Sequence, residues 1–243
     1  MTASNNLPSK LEQLAERYNT NPALRLLAGL IPGVSQLDAA ISVQIANMHT
    51  ERMRIFFDEL ATKSRLITDA DVKNSDYIHA FLSTAKAAIN TRQHEKIRLF
   101  ARLLANYTST DMTKTGEDQE DFLHILDDLS YREYQVLLIL HDFKIRLPPE
   151  DAAVFEISEE DAFHRTLMSW IPVMDSIETK TGIPLAELPG VLERLKRTGL
   201  YQAFTIVQGS PVYHRGVNIA REIGFLTPNF DKFIKAFEDG TNV

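Results

Sequence analysis

The stretch that most constrains the fold of this chain is residues 176–200, SIETKTGIPLAELPGVLERLKRTGL. Two segments of helical pattern, one through Lys180 and one ending at about Arg197, are separated by Gly182 and followed by Gly199. Glycine adopts the left-handed backbone conformation that lets a chain leave one helix and enter the next at a steep angle. Six apolar residues fall on one side of such a pair: Ile177, Ile183, Leu185, Leu188, Leu192 and Leu195. The stretch therefore predicts a helix, a turn and a second helix.

A β-hairpin is predicted directly after this pair of helices. Residues 201–208 and 212–215 are short strand-like segments, and Gly209, Ser210 and Pro211 between them form a turn. We expect strands at about 201–207 and 211–216, and no other strands. Helix, turn, helix and hairpin in this order resemble a winged helix-turn-helix domain, in which the hairpin is the wing.

The rest of the chain predicts a mainly helical protein in two domains. A helical bundle is expected over residues 8–110, and a winged-helix-like domain over 120–240 with an insertion at about 144–166. Within the bundle, residues 35–63 form one long amphipathic helix. Thr68 with Asp71 makes a capping box, and Ser130 is a good N-cap for the helix that opens the second domain.

The helix predicted at residues 92–107 has an apolar and a basic face. Its apolar face points inward and carries Ile97, Phe100, Leu103 and Leu104. Its outer face is predicted to carry Arg92, Lys96, Arg98 and Arg102.

Three segments resemble those of a loose group of uncharacterised bacterial proteins. They are the turn Ile31-Pro32-Gly33, the helix HEKIRLFARLLAN at 94–106 and the helix LDDLSYREYQVLLIL at 126–140. The resemblance spans most of the chain. It implies an N-terminal helical region followed by a C-terminal winged helix-turn-helix domain, and it carries no activity, cofactor or site residue.

Composition excludes several kinds of chemistry and narrows the location. The 243 residues include no cysteine, which excludes disulfides, thiolate metal sites and a cysteine nucleophile. With 44% hydrophobic and 24% charged residues, the chain can bury a substantial core. The first residues lack the basic and apolar regions of a signal peptide, so we expect a cytoplasmic protein.

The most apolar stretch, residues 23–46, is the one that invites a membrane interpretation. It contains Arg25 and Asp38, and Pro32-Gly33 interrupts it near its middle. A spanning helix needs about 20 nearly uninterrupted apolar residues. We therefore predict two buried helices and no stable membrane span. A membrane-active protein that exposes this stretch is a second alternative.

The charge distribution disfavours nucleic acid as the ligand. The net charge is −7, and residues 130–243 carry 12 basic against 16 acidic side chains. Nucleic-acid-binding domains rely on a basic face for most of their affinity. Residues 184–190, where the second helix of the motif starts, include no arginine, lysine, asparagine or glutamine. These are the side chains that make bidentate contacts with bases.

The leading hypothesis is a non-enzymatic regulatory or adaptor protein that uses its winged helix mainly for protein interaction. We expect a protein partner, and a homo-oligomer is one form of it. The alternative is a DNA-binding transcriptional regulator, in which dimerisation builds a basic surface. The candidate contacts to a partner or to nucleic acid are Arg194, Lys196, Arg197, His214 and Arg215.

No pattern in the chain predicts a metal, a cofactor or a catalytic site. The nearest approach to a helical ligand set is His124 with Asp121 and Asp128, which a solvated acidic face explains better. There is no GxSxG and no glycine-rich phosphate loop. We therefore expect no cofactor, no metal and no enzymatic activity.

Overall fold

The computed structural model describes residues 22–29, 39–62, 67–107, 116–145, 159–205, 213–214, 217–218 and 222–237. These residues are mainly helical, with small antiparallel strand pairs, as the sequence predicts at that level. The chain divides into two compact units, which meet in sequence between Asp127 and Asp128 and again between Lys235 and Ala236. The predicted domain ranges of 8–110 and 120–240 stay a prediction.

The first unit is built from helices α1 to α6. Their bounds are Pro22–Gly29, Ala39–Thr62, Asp69–Lys73, Ser75–Asn90, His94–Asn106 and Gly116–Asp128. Helices α2, α4 and α5 pack together around buried phenylalanines. The Phe57 ring meets Phe56 edge-on at 5.6 Å between centroids and lies 6.1 Å from the Phe81 ring. These aromatic contacts supply much of the apolar burial that holds the three helices.

Helix α5 confirms the predicted apolar face and corrects the predicted basic face. Ile97, Phe100, Leu103 and Leu104 are buried, as expected. Lys96 is also buried, so its assignment to the outer face was wrong. Its Nζ donates to the Asp127 carbonyl at 2.6 Å and lies 5.7 Å from the centre of the Phe100 ring. A lysine stem can lie along apolar surface while its ammonium reaches a polar partner, and helical spacing alone does not reveal this.

The second unit contains helices α7 to α10 and strands β1 to β4. In chain order these are α7 (Tyr131–Asp142), α8 (Glu159–Thr181), α9 (Leu188–Arg197), β1 (Tyr201–Thr205), β2 (Tyr213–His214), β3 (Val217–Asn218), β4 (Glu222–Leu226) and α10 (Pro228–Lys235). Residues 159–166 of the predicted insertion are the first residues of α8. Residues 146–158 lie outside the described ranges.

The turn between α8 and α9 follows the sequence prediction closely. Gly182 and Gly199 adopt φ values of 67° and 71°, in the left-handed region that favours glycine. The predicted apolar residues are buried, except that Leu192 is half-buried. The second helix starts later than the pattern indicated, because residues 185–187 form a turn and the helix begins at Leu188.

The strand pairing differs from the predicted hairpin. β1 pairs antiparallel with β4, with Tyr201 opposite Leu226, whereas Tyr213–His214 pairs with Val217–Asn218. The prediction that 201–207 pairs with 211–216 and that there are no other strands was therefore wrong. In the observed register the Tyr201 side chain lies against Gly224, a residue distant in sequence. A Cβ at Gly224 would lie only 1.6 Å from the Tyr201 hydroxyl oxygen, so the buried Tyr201 side chain occupies the space that a side chain at 224 would need.

A backbone contact also links β4 to the residue that follows α7. The Leu226 amide donates to the Ile145 carbonyl at 2.9 Å, and the Thr227 amide donates to the Leu200 carbonyl at 3.0 Å. The end of β4 therefore binds both the segment after α7 and the segment that enters β1. In chain order this unit therefore has α7, the segment at Ile145 that bonds to β4, helices α8 and α9, and then the β1–β4 pair.

Candidate functional site

Helix α9 carries three of the five candidate contact residues. One side of the helix is buried and carries Leu188, Val191 and Leu195. The opposite side exposes Pro189, Gly190, Glu193, Arg194 and Arg197. The basic residues Arg194, Lys196 and Arg197 lie in its last turn, where cations interact favourably with the negative end of the helix dipole.

Arg194 is held by a buried carboxylate of the same unit. Its Nε lies 2.5 Å from Oε1 of Glu133 on α7, a residue 61 positions away in sequence. The Glu133 side chain is only 7% exposed, whereas that of Arg194 is 58% exposed. The other carboxylate oxygen of Glu133 accepts from the Ser130 amide at 2.7 Å. The guanidinium of Arg194 therefore satisfies a carboxylate that is otherwise costly to bury.

The same contacts set the protonation state of Glu133. Burial raises its pKa, but hydrogen bonds from the Ser130 backbone, the Arg194 guanidinium and the Ser130 hydroxyl outweigh burial and lower the pKa overall. The carboxylate is therefore ionised at neutral pH, and Arg194 and Glu133 form a charge-assisted hydrogen bond.

Lys196 and Arg197 are both close to Glu193 on the same helix. Lys196 Nζ lies 2.6 Å from Glu193 Oε2. The hydrogen bond from Lys196 is the main reason that the pKa of Glu193 is lowered, and the charge of Arg197 contributes less. The basic end of α9 thus carries its own acidic counter-charges, and Glu187 adds an exposed carboxylate just before the helix starts.

Of the two contacts predicted on the hairpin, His214 and Arg215, only the first belongs to the described residues. His214 lies on β2, where its backbone is paired with Val217. Arg215 lies outside the described residues. The structure therefore brings Arg194, Lys196 and Arg197 together on one helical turn, and the proposed basic surface that includes the wing stays a prediction.

The other candidate sites can be located in the described part of the chain. His124 on α6 is exposed, and within the described ranges no group of three or more histidine, aspartate and glutamate side chains could hold a metal ion. Residues 23–46 fall on α1 and α2, and residues 30–38 between them are not described. None of the helices described has the length and apolar character to cross a membrane.

Two residues of this site were missed in the sequence. Glu133 follows Ser130 by three positions, and this Ser-x-x-Glu spacing could have identified it as the second member of a capping box. Gly190 carried no signal, because its exposure and the open space around it follow from the fold. Comparison of the chain with protein-family models, with curated proteins and with solved structures finds no match.

Proposed function

We propose that this chain is a non-enzymatic regulatory or adaptor protein whose second unit is a winged helix-turn-helix that recognises a protein partner. The order of α7, Ile145, α8, α9, β1 and β4 supports the winged-helix part of this proposal. The segment after α7 and the start of β1 both bond to the end of β4, so a short strand-like contact and a strand pair lie after the first and third helices. In this proposal the pair of strands Tyr213–His214 and Val217–Asn218, which lies between β1 and β4 in the chain, belongs to the wing.

A protein partner is favoured because two of the three cations in the last turn of α9 are paired with carboxylates. Arg194 binds Glu133, and Lys196 binds Glu193. A helix that contacts DNA needs cations accessible to phosphates and side chains near its start that can read bases. The exposed start of α9 instead presents Pro189 and Gly190. The pairing of Arg194 with buried Glu133 is the observation that carries this choice.

Binding to random duplex DNA over a salt series tests the choice between the two ligands. We expect no binding at the lowest salt concentration. Micromolar binding that weakens steeply between about 50 and 200 mM salt would indicate several phosphate contacts and would contradict the proposal. In that case Arg197→Glu should abolish binding. The matched control, Lys180→Glu at an exposed position on α8, should not.

A photo-crosslinking amino acid at Pro189 tests for a protein partner directly. The same group at Lys180 is the control, because both side chains are exposed and belong to the second unit. We expect a discrete protein adduct from position 189 that position 180 does not give. Equal labelling from both positions, or none from either, would contradict the proposal.

A DNA-binding regulator is the second candidate, and the basic last turn of α9 favours it. In this function Arg197 would contact a phosphate, since it is exposed. Arg194 could contribute only by giving up its hydrogen bond with Glu133. The salt series described above separates this candidate from the first.

A further inference from the structure

Gly190 lies inside a helix that does not need a glycine there. It is the third residue of α9, and it is exposed. A Cβ added to it would meet nothing within 4 Å, and its φ lies outside the left-handed region. Glycine is among the poorest helix formers, so alanine would suit the isolated helix better. What a glycine at this position provides is room for another backbone to approach the outer side of α9 closely.

The first and last exposed charges of the α9 region have opposite signs, and exposed Glu193 lies between them, four positions before Arg197. Exposed Glu187 stands just before the first residue of the helix, and exposed Arg197 is its last residue. The two residues are ten positions apart, which corresponds to about 15 Å along the helix axis. Their midpoint is residue 192, two positions from Gly190. The two other cations of the last turn, Arg194 and Lys196, have carboxylate partners within the unit.

We propose that the partner recognised by α9 is a second copy of this chain, bound with the two α9 helices antiparallel and crossing at the middle of α9, two positions from Gly190. A two-fold axis at the centre of α9 places Glu187 of each copy near Arg197 of the other, so opposite charges meet twice. A parallel arrangement would bring like charges together. The inference rests on the proposed function, because it names the partner of the same surface.

The dimer is expected to be weak. A helix of ten residues presents a small face, and two such faces bury less than the roughly 1,200–2,000 Å² of a standard interface. We therefore expect a reversible monomer–dimer equilibrium with a micromolar Kd. Analytical ultracentrifugation of the full chain from nanomolar to high micromolar concentration measures it. A wild-type protein that stays monomeric over this range would overturn the inference.

Gly190→Leu tests the close approach at the crossing. We expect it to abolish or strongly weaken the dimer. It should leave the circular dichroism spectrum and melting temperature close to those of the wild type, because the space around position 190 is open. Lys180→Leu adds the same side chain to an exposed position of α8 and should leave the dimer unchanged. A Gly190→Leu protein that dimerises as well as the wild type would overturn the inference.

A charge exchange tests the antiparallel orientation. Glu187→Arg alone and Arg197→Glu alone should each weaken the dimer about tenfold or more, because each places like charges together at both ends. The double variant restores opposite charges at both ends and should recover the dimer. Lys180→Glu is the control for a change of net charge. A double variant that stays as weak as the single variants would exclude the antiparallel pairing.

The crosslinking experiment at Pro189 separates failure of this inference from failure of the proposed function. An adduct of twice the mass of the chain supports the inference. An adduct with a different protein, together with a monomeric wild type, overturns the inference and leaves the proposed function standing. A monomeric protein that gives no specific adduct at position 189 contradicts both.

Discussion

Two helix starts, one in each unit, have the same kind of capping box. In the second, the carboxylate also binds an arginine from a distant helix. At α3, the Asp71 carboxylate accepts from the Thr68 amide at 2.8 Å, and the Asp71 amide donates to the Thr68 hydroxyl at 3.3 Å. At α7, Ser130 and Glu133 make the same reciprocal pair at 2.7 and 3.2 Å. Both carboxylates are buried. Glu133 additionally binds Arg194, from a helix far along the chain.

This difference separates two roles that one local motif can serve. The Thr68–Asp71 box starts a helix of five residues, and its reciprocal hydrogen bonds span three positions. The Ser130–Glu133 box starts a helix of twelve residues and also fixes α9, whose outer face is the candidate site. A cap that binds a distant cation therefore stabilises tertiary structure as well as a helix end.

Glu133→Ala should produce the largest loss of stability. It removes the acceptor of the Ser130 amide, leaves Arg194 without its carboxylate and deletes buried side-chain volume. We expect the free energy of unfolding to fall by about 2–3 kcal/mol. Urea unfolding followed by circular dichroism measures it. Amide exchange should rise in both α7 and α9; a rise confined to α7 would contradict the long-range role.

Asp71→Ala should have a smaller effect. It removes the acceptor of the Thr68 amide and hydroxyl at the start of a short helix. Loss of a cap of this kind costs about 1–2 kcal/mol. Amide exchange should rise mainly in α3. A loss of stability equal to or greater than that of Glu133→Ala would contradict this order of effects.

Arg194→Ala isolates the contribution of the cation. Because the Arg194 side chain is 58% exposed, solvent screens its interaction with Glu133, and we expect a loss of about 1 kcal/mol. A double-mutant cycle with Glu133→Gln should give a coupling energy of at least about 0.5 kcal/mol. Arg197→Ala, in the same turn of α9, is the control and should change stability little. Additive losses from Arg194→Ala and Glu133→Gln would disprove the coupling.

The sequence predicts the contacts between near neighbours at these helix starts, and it does not predict the contact between distant residues. The Thr68–Asp71 box and the Ser130 N-cap follow from residue types at fixed short spacing, and both are confirmed. The same holds for the left-handed Gly182. The bond between Arg194 and Glu133 spans 61 positions and obeys no helical or strand period, so no spacing rule could find it.

The strand pairing and the surroundings of the exposed glycine also could not be predicted from the sequence. The turn residues at 209–211 favoured a hairpin between neighbouring segments, whereas β1 pairs with β4, and the Tyr201 side chain lies against Gly224. A glycine in a sequence does not reveal whether a side chain fills the space beside it, as at position 224, or whether that space is open, as at position 190. Only the folded packing distinguishes these two cases.

Acid should remove the stabilisation by the Glu133 carboxylate, the smallest of these effects. Its pKa in the folded chain lies below the value of 4.5 for an unperturbed glutamate, since the bonds from Ser130 and Arg194 outweigh burial. The unfolded chain therefore binds this proton first as the pH falls. The stabilisation is complete above about pH 4.5 and is lost as the pH falls through the folded pKa.

The isosteric variant Glu133→Gln provides the measurement. The difference in unfolding free energy between wild type and Glu133→Gln should be constant from neutral pH to about pH 4.5 and should narrow below that. Adding Arg194→Ala to both proteins should flatten this dependence, because the bond from Arg194 is one of those that lower the pKa. A difference that stays constant in acid would show that ionisation of Glu133 does not stabilise the fold. The second box would then act through packing and hydrogen bonding alone.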